Sequence, residues 1–539
     1  MSATFPSTSI DFAHISYQQV RSALLARHEI ALLDVREEAP HAVAHPLFAA
    51  NLPLSQFELL IYSRVPRRDT TVVVLDDGEG LAEIAAQRLH MLGYSDISIL
   101  EGGVRGWLAA GGELFQDVNA PSKAFGELVE SRSHTPSLSA QEVKALLDAN
   151  EDLVVLDARR FDEYQNMNIP GSVSVPGAEL ALRVRTLAPN PKTRVIVNCA
   201  GRTRSIIGTQ SLVNLGIPNQ VHALRNGTIG WTLAGQKLEH GSDRCFPEGT
   251  NPETARQAVD DARAVADRAG VLQLSWEHLQ VWRQELTRTT YQFDVRTPGE
   301  YEAGHISGFL SAPGGQLVQE TEANATVRGA RIVLVDDDGV RANMTGSWLA
   351  QMGWEVAVLD GVDQIHFNET GRARPLLPPV PVSEIVTPET LSRWLQESDA
   401  TVVLDVSASA NYVKQHIPGA WFVLRSQLQQ ALKQLPWQRV QRYVLTCGSG
   451  SLAAYATADL ARITDLPVFL LNGGNAAWKA AGLPLESGET RLASPRIDRY
   501  RRPYEGTDNP ASAMQAYLDW EFGLVEQLGR DGTHGFRVI

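Results

Sequence analysis

An α/β chain made of four copies of a mainly parallel sheet flanked by helices, with a helical C-terminal tail, is what the sequence predicts, on three observations. Short apolar, β-branched runs alternate with helix-period stretches along most of the 539 residues, the pattern of sheets with helices on both faces. Four strands end alike, at Asp34-Val35-Arg36, Asp157-Ala158-Arg159, Asp294-Val295-Arg296 and Asp405-Val406-Ser407. A further strand end follows each aspartate by 42 positions, and it carries Asp76, Cys199, Asp336 or Cys447.

Other landmarks keep the same register. An aromatic stands seven residues after three of the aspartates, at Tyr164, Tyr301 and Tyr412. Asn168-Ile169-Pro170-Gly171, His305-Ile306-Ser307-Gly308 and His416-Ile417-Pro418-Gly419 come next, with a reduced His45-Pro46 in the first unit. Three units close on a Gly-rich turn and a tryptophan, at Trp107, Trp231 and Trp478.

Composition bounds the remaining possibilities. The length suggests three to five domains. A net charge of −14 argues against a nucleic-acid partner. Residues 1–19 have neither a basic start nor an apolar core, and no run of 18 apolar residues occurs, so neither a signal peptide nor a membrane span is expected. Three cysteines are too few for a disulfide scaffold and point to a reducing compartment, the cytoplasm.

Unit one, about residues 12–118, reads as strands at 30–35, 71–75 and 97–100 with a helix over 81–92. Its loop is Asp76-Asp77-Gly78-Glu79-Gly80, with an acid where a nucleophile would stand. These oxygens suit either a divalent cation or plain solvation, and solvation is the commoner fate of loop carboxylates, so no metal site is assigned. Unit one is expected to be inactive.

Unit two, about 137–240, holds the most informative stretch. The buried-strand run Val195-Ile196-Val197 leads to Cys199-Ala200-Gly201-Arg202-Thr203-Arg204, and a helix from about Ser205 ends at Gly216. A thiol at a helix N-terminus, among loop N–H groups and two guanidinium groups, is expected to ionise near neutral pH and to bind an anion beside the sulfur. A seven-residue Cys-to-Arg loop would indicate a phosphatase; here Arg204 is the sixth residue. The loop with its strand and helix resembles the active-site loop of the rhodanese sulfurtransferases, and the repeat extends that resemblance over about residues 15–485. It implies that Cys199 takes a sulfane sulfur and carries it as a persulfide. Ala200, Gly201, Arg202, Thr203 and Arg204 would then hold the substrate. Glu163 and Tyr164 would frame the pocket, and Arg159 would contact either the anion or a scaffold carboxylate. Cys245, just beyond the unit, is either a resolving thiol or an unreactive linker residue.

A helical linker is expected over 251–270, its part from Pro252 to Arg268, rich in Ala, Asp and Arg, reading as one surface helix. Unit three, about 271–370, has Asp336-Asp337-Asp338-Gly339 at the nucleophile position and is expected to be inactive. Prolines between Pro375 and Pro381 make a stiff connection. Unit four, about 384–486, carries Cys447-Gly448-Ser449-Gly450-Ser451-Leu452, a loop without arginine or lysine. Its first four residues resemble the loop of the mercaptopyruvate sulfurtransferases, while Leu452 stands where that family has a threonine. Arg425 and the basic tail are the candidate anion contacts outside this loop. The tail, 491–539, clusters Arg496, Arg499, Arg501 and Arg502 near Tyr500 and Tyr504. It then reads as one amphipathic helix over 511–528, expected to pack on its own protein.

The resemblance implies two fused pairs, each an inactive domain walling the pocket of an active one. It implies a ping-pong sulfurtransferase with thiosulfate, or 3-mercaptopyruvate at the second site, as small anionic donor, and cyanide or a thiol as acceptor. A protein sulfur acceptor is the further partner it suggests. No dissociable cofactor or metal is implied, the sulfur being carried covalently. A persulfide carrier or scaffold serving a partner enzyme is the alternative from a different class.

Overall fold

The computed structural model describes residues 10–247, 249, 252–434 and 439–539. Each repeat unit is one sheet. In the second, the strands lie in the order Ser137–Leu138, Val221–Leu224, Arg194–Asn198, Leu153–Asp157, Val173–Ser174, all parallel. The third and fourth sheets repeat this order, and the first follows it with an added edge strand. The registers pair Asp157 with Asn198 and Asp405 with Thr446, which sets each cysteine one residue beyond the aspartate of the neighbouring strand. Buried on both faces, these strands need the near-continuous Val, Ile and Leu runs seen in the sequence.

The landmark residues hold the units closed. The phenols of Tyr164, Tyr301 and Tyr412 donate to the carbonyls of Ser172, Phe309 and Ala420, at 2.6, 2.8 and 2.8 Å. The indoles of Trp107, Trp231 and Trp478 donate to carbonyls six residues ahead. Large aromatic bodies are thus buried with their polar tips satisfied.

The units do not pair as expected from their order. Arg341 of the third reaches Glu179 of the second at 2.7 Å, and the Trp348 indole donates to Ser211 Oγ at 2.8 Å. Arg425 of the fourth grips Glu58 of the first, while Arg88 of the first meets Asp459 of the fourth at 2.9 Å. The first and third also join, because Val327–Arg328 adds an antiparallel strand beside Ile30 and Ala31 and so covers a sheet edge.

The linker helix spans Pro252–Ala269, and residue 251 at its expected start lies outside the described residues. One face is not solvent-exposed: Ala258, Ala262, Val265, Ala266 and Ala269 are buried, against the helices Glu179–Leu187 and Arg341–Gln351. Small residues at helical spacing allow that close approach. The tail leaves the fourth unit and crosses the first, where Ala39 N donates to Ile497 O and Tyr500 N to Glu38. It continues as two helices, Ala511–Phe522 and Leu524–Asp531, broken at Gly523, which pack on the helix Ala120–Ser133. The tail ends against the third unit, with Arg537 N bonded to Gln351 O. Among the described residues no helix is long and apolar enough to cross a membrane.

Candidate active site

Cys199 follows the strand Arg194–Asn198 and precedes the helix Thr203–Asn214, at the carboxyl end of an inner strand where open α/β sheets bind ligands. It is 2 % exposed, and its Sγ lies 3.4 Å from Ser205 Oγ. Gly227 backs the loop with φ +54°, and a Cβ there would come 2.3 Å from the Cys199 carbonyl. Gly474 stands in the same relation to Cys447, with φ +59° and 2.2 Å. Only glycine supplies both the left-handed conformation and the close approach.

The aspartate loops of the first and third units reveal what the cradle is shaped for. Asp76 accepts from the N–H groups of Gly78, Leu81 and Ala82, at 3.0, 2.7 and 3.2 Å. Asp336 accepts from Gly339 and Ala342, at 3.0 and 2.7 Å. The N–H six residues on from the nucleophile position recurs at Cys447, whose Sγ accepts from Ala453 N at 3.4 Å. An anionic atom therefore belongs at this point in all four units.

Burial nevertheless pushes the Cys199 thiol above its ordinary value, against the opposing pull of Arg204 and of the Ser205 hydroxyl and N–H. The expectation of a thiol ionised near neutrality is not met, because burial outweighs the pull of the cradle and its cation. Arg202 turns away from the sulfur: Nε and Nη2 meet Glu127 at 2.7 Å each, Nη2 meets Glu130, and Nη1 meets Asn226 at 3.0 Å. It belongs to a buried ion-pair network, not to a substrate site. Arg159 is likewise spent, on Asp157 at 2.9 and 2.8 Å and on the Met167 carbonyl, so it is scaffold. Arg36 and Arg296 pair with Asp34 and Asp294 in the same way.

Arg204 is the loop cation that acts on the sulfur. It forms a two-pronged pair with Glu163, at 2.8 Å for both prongs, and although burial opposes it this arginine holds the Glu163 carboxyl down to about 2. The partner was legible. Glu300 and Arg341 in the third unit stand at the same offsets from Asp294 and Asp336, and they pair too, whereas the first and fourth units have Leu81 and Leu452 at the arginine position. A sign follows for pH dependence. Glu163→Gln should free the positive field of Arg204 and lower the Cys199 thiol pKa, and Arg204→Gln should raise it, since cations favour thiolate. The pH dependence of Cys199 alkylation by a small reagent checks this, and shifts of the same sign in both variants would refute it.

Around Arg204 the walls come from the second and third units and the tail. Thr203 and Arg204 line a small cavity with Gly314, Gly315 and Trp348. A larger, apolar groove of about 510 Å³ runs from Arg204 and Phe161 to Pro298 and Pro313. The third unit, not the first, thus supplies the wall. Ala200 and Gly201 are buried. The Ala200 carbonyl is taken by Thr228 Oγ1 and Ile229 N, and Gly201 lies under Tyr517, whose Cε1 would be 3.1 Å from an added Cβ. The aromatic tail helix does pack on its own protein, and it roofs this loop.

Cys245 lies on a strand-like edge, bridged in parallel to Ser174. The order Asn198, Asp157, Ser174, Cys245 across the sheet puts it three strand spacings from Asn198, about 14 Å. It is exposed but too far away to resolve a persulfide on Cys199 directly.

Cys447 has a different setting. It is 4 % exposed, and burial raises its thiol against N–H donation from Ala453, Gly450 and Leu452, with no cation contributing. Gly448, Ser449 and Ser451 are exposed, and the two hydroxyls lie 3.2 Å apart, so this loop is open where that of Cys199 is roofed. Gly450, at φ +90°, turns the chain into the helix Ser451–Ala461. Arg425 is not an outside anion contact: it is buried between Glu58 and Asp459, at 2.9 and 2.7 Å. Of the basic tail, Arg499 and Arg502 line a cavity with Arg204 instead, and Arg496 and Arg501 pair with Glu489 and Asp508.

Comparison with known proteins agrees with the repeat. Rhodanese-like domains match at residues 17–110, 139–234, 281–362 and 387–481. A crystal structure of a thiosulfate sulfurtransferase from Pseudomonas aeruginosa is 67 % identical, covering 98 % of this chain and 100 % of that one with a TM-score of 0.97. The thiosulfate sulfurtransferase of Azotobacter vinelandii is 26 % identical over 204 residues, 34 % of this chain and 74 % of that protein. YrkF of Bacillus subtilis is 29 % identical over 103 residues, 19 % of this chain, and the chain spans only about half, 54 %, of its length. With four matched segments on four sheets of one topology, the chain belongs to the rhodanese-like domain family.

Proposed function

We propose that the chain is a thiosulfate sulfurtransferase working through a persulfide on Cys199. The observation that carries this reading is the Cys199 loop, a nucleophile in an N–H cradle beside Arg204, in a chain 67 % identical to a thiosulfate sulfurtransferase over its whole length. Cys199 gives up its proton to solvent, and the thiolate so formed attacks the outer sulfur of thiosulfate. A Cys–S–S⁻ persulfide forms, the S–S bond of the donor breaks, and sulfite leaves with the electron pair. Cyanide or a thiol then takes the outer sulfur and restores the thiolate, a ping-pong cycle. Arg204 and the loop N–H groups stabilise the negative charge on sulfur. A reducing, cytoplasmic setting suits the three unpaired thiols. Mass spectrometry after thiosulfate treatment tests the reading: one added sulfur on Cys199 is expected, and none would overturn it.

The open, cation-free loop of Cys447 favours a second reading for that site alone. It takes sulfur from a donor that does not need a loop cation, 3-mercaptopyruvate or the persulfide of a carrier protein, and so acts as a carrier for a partner. In a Cys199→Ser background, Cys447 should gain sulfur faster from either of these than from thiosulfate. Faster loading from thiosulfate would sink the idea.

A further inference from the structure

The tail lies beyond the last matched domain segment, which ends at residue 481, yet it completes a cavity beside Arg204. This cavity, about 330 Å³, lies between the helix Phe161–Asn166, residues Gln316, Gln319 and Glu320 of the third unit, and the tail around Arg499–Gly506. Five arginines line it, and their charge is unequally spent. Arg159 is bonded to Asp157 at 2.8 Å, Arg160 to Asp162 at 3.0 Å, Arg204 to Glu163 at 2.8 Å, and Arg499 to Glu505. Arg502 differs. Its nearest ion-pair partner, Glu505 Oε2, is 3.7 Å away, and its guanidinium makes no hydrogen bond among the described residues. The hydroxyl of Tyr504, on the same turn and the same cavity, makes none either.

These two unspent donors are tied to the nucleophile loop. The Tyr504 ring meets the Tyr517 ring edge-on at 5.3 Å, and Tyr517 covers Gly201. Lys123, buried and paired with Asp117 at 2.8 Å, lies 5.5 and 5.2 Å from the centroids of those two rings. The loop itself has little free charge for a doubly negative donor, because Arg202 and Arg204 already hold carboxylates.

We propose that Arg502 and Tyr504 form the anion-capture site of the Cys199 centre: a small oxyanion, the sulfonate end of thiosulfate or a sulfate-like group, is held there by the guanidinium and the phenol on its way to the sulfur. The donor specificity of the second unit is then set by a segment outside the domain that does the chemistry. The proposal rests on the reading that Cys199 takes sulfur from a small anionic donor.

The test uses the full chain. In a Cys199→Ser background, where no transfer occurs, calorimetry measures the binding of thiosulfate and of inert sulfate to the parent, to Arg502→Gln, Arg502→Lys and Tyr504→Phe. Arg502→Gln should weaken both anions about tenfold or more, Tyr504→Phe a few-fold, and Arg502→Lys should recover most of the loss, because charge is what captures. With Cys199 intact, Arg502→Gln should raise KM for thiosulfate with kcat kept within about threefold. Binding to Arg502→Gln within twofold of the parent would overturn the proposal. So would a lowered Tm with no rescue by lysine, which would make the residue structural. Failure of the parent reading appears separately, as wild-type protein that gains no sulfur on Cys199 although sulfate binding still depends on Arg502.

Discussion

Cys199→Ser should abolish thiosulfate:cyanide sulfurtransferase activity, leaving less than about a tenth of the rate, a loss above about 1.4 kcal/mol in the barrier. Serine is nearly isosteric, and the site tolerates polar occupants: Asp76 and Asp336 stand at the same point and both accept from the N–H six residues on. The variant should therefore keep its Tm, so the lost rate reports the missing sulfur and not a lost fold. Cys447 is not expected to compensate, since no cation offsets the burial of its thiol as Arg204 does at Cys199. Steady-state thiocyanate formation, with Tm measured alongside, decides the matter. A residual rate above a tenth would move the chemistry to Cys447.

The two loop arginines should fail in different ways. Arg204→Gln removes the cation acting on Cys199 and should lower kcat/KM by about tenfold to a thousandfold, the range for one lost anion-stabilising donor, with little change in stability. Glu163, left without its partner, is a quarter exposed and can be reached by water. Arg202→Gln has the opposite profile. Its guanidinium and Glu127 are 3 % and 5 % exposed, and removing one partner of a buried pair costs about 3–5 kcal/mol because the other charge is left uncompensated. The guanidinium also stacks 4.3 Å over Phe522, so the tail loosens with it. Denaturant unfolding and kinetics on both variants separate the roles. Comparable kinetic losses at unchanged stability would place both arginines at the substrate.

Much of this was legible along the chain. Local rules suffice for the strand Thr71–Leu75, for the helix that begins near Ser205 and stops at Gly216, and for the cysteines at strand ends, because apolar runs and turn glycines act over a few residues. Register is carried by residues with a fixed local task. Tyr164 reaches a carbonyl eight residues ahead and Trp231 one six ahead, so their spacing survives in every unit that needs the same closure. The one tail helix expected over 511–528 is two, which meet at Gly523 and both pack on Ala120–Ser133, a contact far away in sequence.

The sequence by itself determined four sheets of one topology, two loops able to hold a sulfur nucleophile, and two loops where carboxylates fill the same cradle. Only the tertiary structure decided which charges are free to act. Arg202 and Arg204 look equivalent in a six-residue loop, yet one pairs with Glu127, 75 positions earlier in the chain, and the other pairs with Glu163 and acts on the sulfur. The pairing of second unit with third, the roof over Gly201 and the delivery of Arg502 to the cavity beside Arg204 depend on contacts between residues hundreds of positions apart. The physical reason is range. Propensity and periodicity act between neighbours in sequence, whereas burial and charge pairing act between neighbours in space, and it is these that set the potential at a thiol.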